Sequence, residues 1–251
     1  MMGNFLFETA GRMPGKSLTM AALMLGAMAA QPASAALQLS IDVNGTTFTC
    51  SDGASCDQSS ANKNLLVIDQ TVAGVLVQVT LAQSTIGAVN ELQLSSSNIE
   101  NLTNLSRSIT IEAGDTGFLN PVTFIRDSGS LTFNDAVGSL ASSLSFFADA
   151  GNGQGAPGTP GTLLEQVFGT PLTDPDSFAG TNFAAFLANS PFSMTEEAAL
   201  NLRAGGSITG LNQSMTSGVP EPKTWAMMGI GFGLMAMMGF KRRKNRLGAF
   251  A

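Results

Sequence analysis

The chain of 251 residues carries 18 acidic and 12 basic side chains, a net charge of −6, and contains neither His nor Tyr. Without His it has no Ser-His or Cys-His catalytic pair, no His-ligated metal, and none of the side chains that most often move protons near neutral pH. Residues 36–218 hold four cations against sixteen anions, a net charge of −12, so this body repels nucleic acid and anionic lipid, and no nucleic-acid partner is expected.

The N-terminus reads as an export signal. Arg12 and Lys16 precede an apolar stretch from Leu18 to Ala30, and the small residues Ala33, Ser34 and Ala35 follow. This is the layout of a secretory signal peptide over residues 1–35, cut between Ala35 and Ala36 by signal peptidase after passage through the Sec machinery. The segment before Lys16 is long and contains Glu8, so Met13 makes a more ordinary start of translation than Met1.

The body opens on alternation. Leu37, Leu39, Ile41 and Val43 alternate with polar residues, which is the period of a half-buried strand. Asn44-Gly45 is a hairpin signal, and Thr46 to Cys50 returns as the second strand. Cys50 and Cys56 are the two cysteines of the chain. Export carries them to an oxidising compartment, and the small residues between them let the chain fold back, so a disulfide is expected. A loop this short constrains little of the unfolded chain, so the bond should stiffen the loop more than the fold.

Leu65 to Ile68 and Val75 to Leu81 read as strands, and Leu92 with Leu94 as a weaker one broken by Ser95 to Asn98. Arg107 to Glu112 alternates again, and Gly114 to Gly117 is expected to turn. Val122 to Ile125 and Ser130 to Phe133 read as two short strands around Asp127-Ser128-Gly129. Leu140 to Ala148 is strand-like. Gly151 to Gly161, rich in Gly and Pro, reads as a flexible surface loop with nothing to bury. Thr162 to Phe168 is expected to form a helical turn or two, and residues 182–188 fit strand or helix equally. Phe192 to Leu202 shares one parity, interrupted by Glu196. Gly205-Gly206 turns, and Ile208 to Met215 is the last strand. Some nine or ten short strands with Gly and Asn turns point to an antiparallel β-sandwich over residues 36–217.

Little in the body looks catalytic. Asp115-Thr116-Gly117 and Asp127-Ser128-Gly129 look like aspartic-protease triplets, but that chemistry draws its two carboxylates from separated lobes or subunits. Asx-type turns explain both triplets. Asp174 and Asp176, in Asp174-Pro175-Asp176, are the nearest approach to a Ca²⁺ site, although calcium-loop spacing is absent; no metal and no cofactor is expected. A sugar-binding face would offer exposed Trp or Tyr. The body has neither, and most of its Phe residues fall at core parity.

The C-terminus is organised in three parts. Val219, Pro220, Glu221 and Pro222 form a stiff, extended segment. Thr224 to Phe240 is apolar and without charge, about 25 Å long as a helix and near the lower limit for spanning a bilayer. Gly229 and Gly233 within it suit close approach of another helix. Lys241, Arg242, Arg243, Lys244 and Arg246 then form a cytoplasmic stop, which places the body outside the inner membrane.

In that order, with Trp225 at the outer end of the helix, residues 218–246 resemble the PEP-CTERM protein-sorting signal. The resemblance implies export in a Gram-negative bacterium and recognition by a membrane-embedded exosortase. Cutting near the Pro-Glu-Pro would free the protein from its transient inner-membrane anchor, for the cell surface or an extracellular polysaccharide matrix. The expected chain is therefore an all-β sandwich ectodomain between an N-terminal signal helix and a single C-terminal transmembrane helix. The expected function is that of a non-enzymatic surface or matrix protein associated with exopolysaccharide or biofilm. The alternative is a secreted glycan- or Ca²⁺-binding β-sandwich module. A hydrolase using Asp or Glu alone is a third hypothesis, which the absence of His and Tyr disfavours.

Overall fold

The computed structural model describes residues 37–218, apart from Ala88, Asn120 and Ser190. The expected signal peptide, Met13 start, Ala35–Ala36 cut and membrane helix, together with the Pro220-Glu221-Pro222 motif and the basic tail, lie outside these residues. Among the described residues there is no helix, and hence none able to cross a membrane.

Twelve strands form two six-stranded sheets in which every pairing is antiparallel. In chain order they are β1 (Gln38–Val43), β2 (Thr46–Ser51), β3 (Leu65–Val72), β4 (Val75–Thr85), β5 (Asn90–Asn101), β6 (Arg107–Phe118), β7 (Val122–Asn134), β8 (Ser142–Asp149), β9 (Thr162–Gly169), β10 (Asp176–Ala188), β11 (Phe192–Leu202) and β12 (Ser207–Gly218). The first sheet runs β2-β1-β6-β11-β8-β9 and the second β10-β7-β12-β5-β4-β3. They stack so that β2 lies by β3 at one edge and β9 by β10 at the other. The antiparallel β-sandwich read from the alternation is thus the observed architecture.

The alternating residues build the interior. Leu39, Ile41 and Val43 of β1, Ile109 and Ile111 of β6, Val77 and Val79 of β4, and Leu92 and Leu94 of β5 are all buried between the sheets. Burying such side chains is the main favourable term in folding, at about 1.5–3 kcal/mol each. Asn44 and Gly45 both take positive φ, 51° and 86°, which suits the two-residue turn joining β1 to β2. Phe118, Phe192 and Phe186 fill one end, with neighbouring ring centroids 5.5 and 5.8 Å apart.

The β9–β10 edge closes by interlock. Phe178, Gly180 and Asn182 of β10 face Gly169, Val167 and Glu165 of β9. A methyl group at Gly180 would stand 2.5 Å from a Val167 methyl carbon, so only Gly fits.

Several local expectations are corrected. β5 continues through Ser95 to Asn98, because the ladders of β4 and β12 hold it on both sides. β7 is one strand of 13 residues rather than two. Ladder bonds to β10 and β12 hold Asp127-Ser128-Gly129 extended, which overrides its turn composition. β6 likewise runs on through Gly114 to Phe118, with an irregular register opposite Phe192 and Met194. Thr162 to Phe168 is strand, paired to β8, and residues 182–188 are strand, paired to β7.

The Gly-rich segment 151–161 is not a loop with nothing to bury. Gly155 and Ala156 are buried against Gly114 and Thr195 on the outer face of the first sheet. Gly158 N–H donates to Glu112 Oε2 at 2.9 Å, Gly117 N–H to Asn152 Oδ1 at 2.7 Å, and Gln154 Nε2 to the Gly114 carbonyl at 3.1 Å. A side chain at Gly155 would clash with Thr195, so the missing Cβ there is what lets the backbone lie so close to the sheet.

Candidate functional site

Cys50 and Cys56 are joined by the expected disulfide. The neighbouring acids hold the loop in place. The Asp57 carboxylate accepts from the amides of Gly53, Ser59 and Val67 and from the Ser59 hydroxyl, and Asp52 accepts from the Asn64 amide at 2.7 Å. Burial works to raise the Asp57 pKa, but those hydrogen bonds outweigh it and hold it below the usual value.

Asp174 sits in the β9–β10 connection and Asp176 is the first residue of β10. Asp174 Oδ1 accepts the Asp135 amide at 2.7 Å, while Asp176 accepts the amides of Leu172 and Ser177 at 2.7 and 2.8 Å and that of Thr173 at 3.4 Å. Among the described residues no group of three candidate ligands is placed to hold a metal ion.

The two triplet acids face the interior from different sheets. Asp115 of β6 accepts the hydroxyl of Ser84 across the sandwich and the Thr116 amide at 2.7 Å. Burial raises it to about 6, against those bonds. Asp127 of β7 is also raised to about 6, by burial and then by the charge of Glu165, with Asn182 offsetting in part. Asp52 is the charge that acts on Asp115 and Glu165 the one that acts on Asp127, and no hydrogen bond joins the two triplet acids among the described residues.

Glu196 is the most isolated acid. It faces inward between Met194 and Ala198, fully buried, and neither of its oxygens makes a hydrogen bond of normal geometry. Burial, then the charges of Glu91 and Asp127, push its pKa well up, against partial compensation from the Met215 amide. Beside it Gln213 ties the sheets together, its Nε2 donating to the carbonyls of Ser145 and Glu197 at 3.3 and 3.2 Å. On the outer face of the first sheet, Glu197 stands directly across from Glu112. Burial and then that like charge raise Glu197, against a hydrogen bond with Ser145.

Part of the outer face of the second sheet is different: uncharged, polar and hollow. Strand register aligns its outward side chains in rungs across β10, β7, β12 and β5. One rung is Ala179, Ser130, Asn212 and Ser95; the next is Thr181, Ser128, Ser214 and Gln93. These short side chains line an open trough of about 430 Å³. Ser95 Oγ donates to Asn212 Oδ1 at 3.0 Å, and Gln93 Nε2 donates to Glu91 Oε1 at 2.6 Å.

A third rung, Phe183, Arg126, Thr216 and Glu91, bounds the trough at one end. Phe183 is 64% exposed. The Arg126 guanidinium lies over its ring at 5.5 Å, and the Phe124 centroid is 6.3 Å away. Sequence reasoning missed this aromatic surface because residues 182–188 were open between strand and helix. The signal was present: on a strand, Phe183 has the opposite parity to the inward-facing Phe178 and Phe186.

No family model matches the sequence, and no curated protein matches it. Among solved structures, the chain overlaps TmCBM61, determined in complex with β-1,4-galactotriose, with a TM-score of 0.31, 11% identity and coverage of 57% of this chain and 88% of that one. It overlaps the CBM22-1 xylan-binding domain of Paenibacillus barcinonensis Xyn10C with a TM-score of 0.26, 16% identity and coverage of 61% and 85%. For the C-terminal CBM6 of LamC from Zobellia galactanivorans the values are 0.24, 11%, 49% and 98%. Overlaps this low carry no inference about family or ligand.

Proposed function

We propose that the sandwich is a non-catalytic glycan-binding module of an exported protein, and that the trough on the second sheet is its binding face. The observation that carries this is the juxtaposition of two rungs of short hydroxyl and amide side chains with one exposed aromatic ring. A sugar chain needs that combination: donors and acceptors for its hydroxyls, and a flat apolar surface for a ring face. Four neighbouring strands span about 14 Å between their outer axes, room for a short run of sugar rings.

Export and sorting belong to the same proposal. The signal peptide, with Sec and signal peptidase as partners, and the PEP-CTERM-like tag, with an exosortase, would bring the module to the cell surface or matrix, where exopolysaccharide is its ligand. The Cys50–Cys56 disulfide suits an oxidising destination.

Affinity electrophoresis through polysaccharide gels tests the binding face. The wild-type chain should be retarded, and Ser214→Leu, which fills the trough, should weaken binding about tenfold or more. Unchanged retardation by the variant overturns the assignment.

A further inference from the structure

Resting on that assignment, we infer that the trough selects an anionic glycan, and that Arg126 reads its carboxylate or sulfate group. Three observations converge on this residue.

Arg126 is free to act. Arg107 donates through Nε to Thr103 Oγ1 at 3.3 Å and Arg203 to the Asp135 carbonyl at 2.8 Å, so both tie down loops. The contact Arg126 makes among the described residues is with the ring of Phe183, which leaves the edge of the guanidinium without an acceptor. Stacking on an aromatic face holds the planar fork in place, so less freedom is lost when it binds.

The charge around it is also informative. The body carries sixteen anions, yet the two rungs forming the trough contain none. Asp127, adjacent in sequence, points into the sandwich. The acid on the same rung, Glu91, is two strands away, about 10 Å across the sheet, and accepts from Gln93 Nε2 at 2.6 Å. An anionic group over Arg126 therefore meets a cation with no carboxylate beside it on the outer face.

Arg126 stands one rung from Ser128 on the same strand, about 7 Å along it. A sugar ring against the exposed part of Phe183 that Arg126 leaves uncovered would bring its charged substituent to the fork while the next rings lie on Ser128 and Ser214. The planar guanidinium matches carboxylate and sulfate bidentately, which a neutral hydroxyl cannot reproduce.

The test is a calorimetric titration of the full-length chain with three oligosaccharides of equal length: a neutral glucan, a polyuronate and a sulfated glucan. Binding to at least one acidic ligand should be about tenfold tighter than to the neutral one, and Arg126→Gln should collapse that ratio towards one. Arg126→Lys should keep part of it, since charge remains and the fork is lost. Equal affinities in the wild type, or a ratio untouched by Arg126→Gln, overturn the inference and leave the trough standing. Binding that survives Ser214→Leu for every ligand, or no binding at all, removes the trough and with it this inference.

Discussion

At the scale of single residues, the least compensated group is Glu196, an acid without a hydrogen-bonded partner inside an apolar core. Burying a charge or an unsatisfied polar group costs about 1–3 kcal/mol or more. Glu196→Met, close in volume and set between Met194 and Ala198, should therefore stabilise the fold by about that amount, read as a shift in denaturant midpoint without loss of slope. Glu196, Asp127 and Asp115 also share a sign. Each has a folded pKa above its unfolded value, Asp127 and Asp115 at about 6. Their contribution is complete below the unfolded values near 4 and is lost as pH rises through the folded ones. The groups held low, Asp57 and Asp176, act in the opposite direction, but only below about pH 4. Melting temperature should thus be higher at pH 5 than at pH 8, by at least about 5 °C for a domain of this size. A melting temperature that rises from pH 5 to pH 8 contradicts the burial of these acids. Phe183 makes the complementary prediction on the surface. Phe183→Ala should weaken glycan binding about three- to tenfold without lowering the melting temperature.

At the scale of elements, alternation was legible wherever one face of a strand is apolar and the other polar, as in β1, β4 and β6. It failed where the inward row is not apolar. Asp127 and Gly129 of β7, Gly180 and Asn182 of β10, and Glu165 of β9 all point inward, so their strands looked broken or helical. These positions lie together at the β9–β10 end, where Gly positions make room for Phe178 and Val167 and polar groups meet across the sandwich. The correct assignment of β10 depends on partners distant in sequence, and so does the exposure of Phe183 that follows from it. The Gly-rich segment 151–161 was misread for a similar reason: its acceptors, Glu112 and Gly114, lie some 40 residues away. The interlock predicts that Gly180→Val, forced against Val167, destabilises the fold by about 1–3 kcal/mol. Ala179→Val, one residue away on the outer face, should be close to neutral in the same denaturation experiment.

At the scale of the whole molecule, the division of labour follows charge and hydropathy. Cations and long apolar runs are concentrated at the two ends, and the acidic sandwich lies between them. On the sorting proposal the terminal segments govern travel, so replacing Pro220-Glu221-Pro222 should leave uncut protein in the inner membrane, seen as a heavier band in that fraction; normal release of the variant contradicts that proposal. The sandwich is the part to which we assign binding, and its two outer faces differ in kind. One bears the Glu112–Glu197 pair under a packed loop, the other a neutral trough ended by an aromatic ring. The most direct test is to follow backbone amide resonances of the isotope-labelled protein as a short oligosaccharide is added. Shifts should cluster on Ser128, Ser130, Thr181, Phe183, Asn212 and Ser214, and saturate together. Saturating shifts centred on Glu112 and Glu197, or none anywhere at millimolar ligand, would contradict the placement of the binding face on the second sheet.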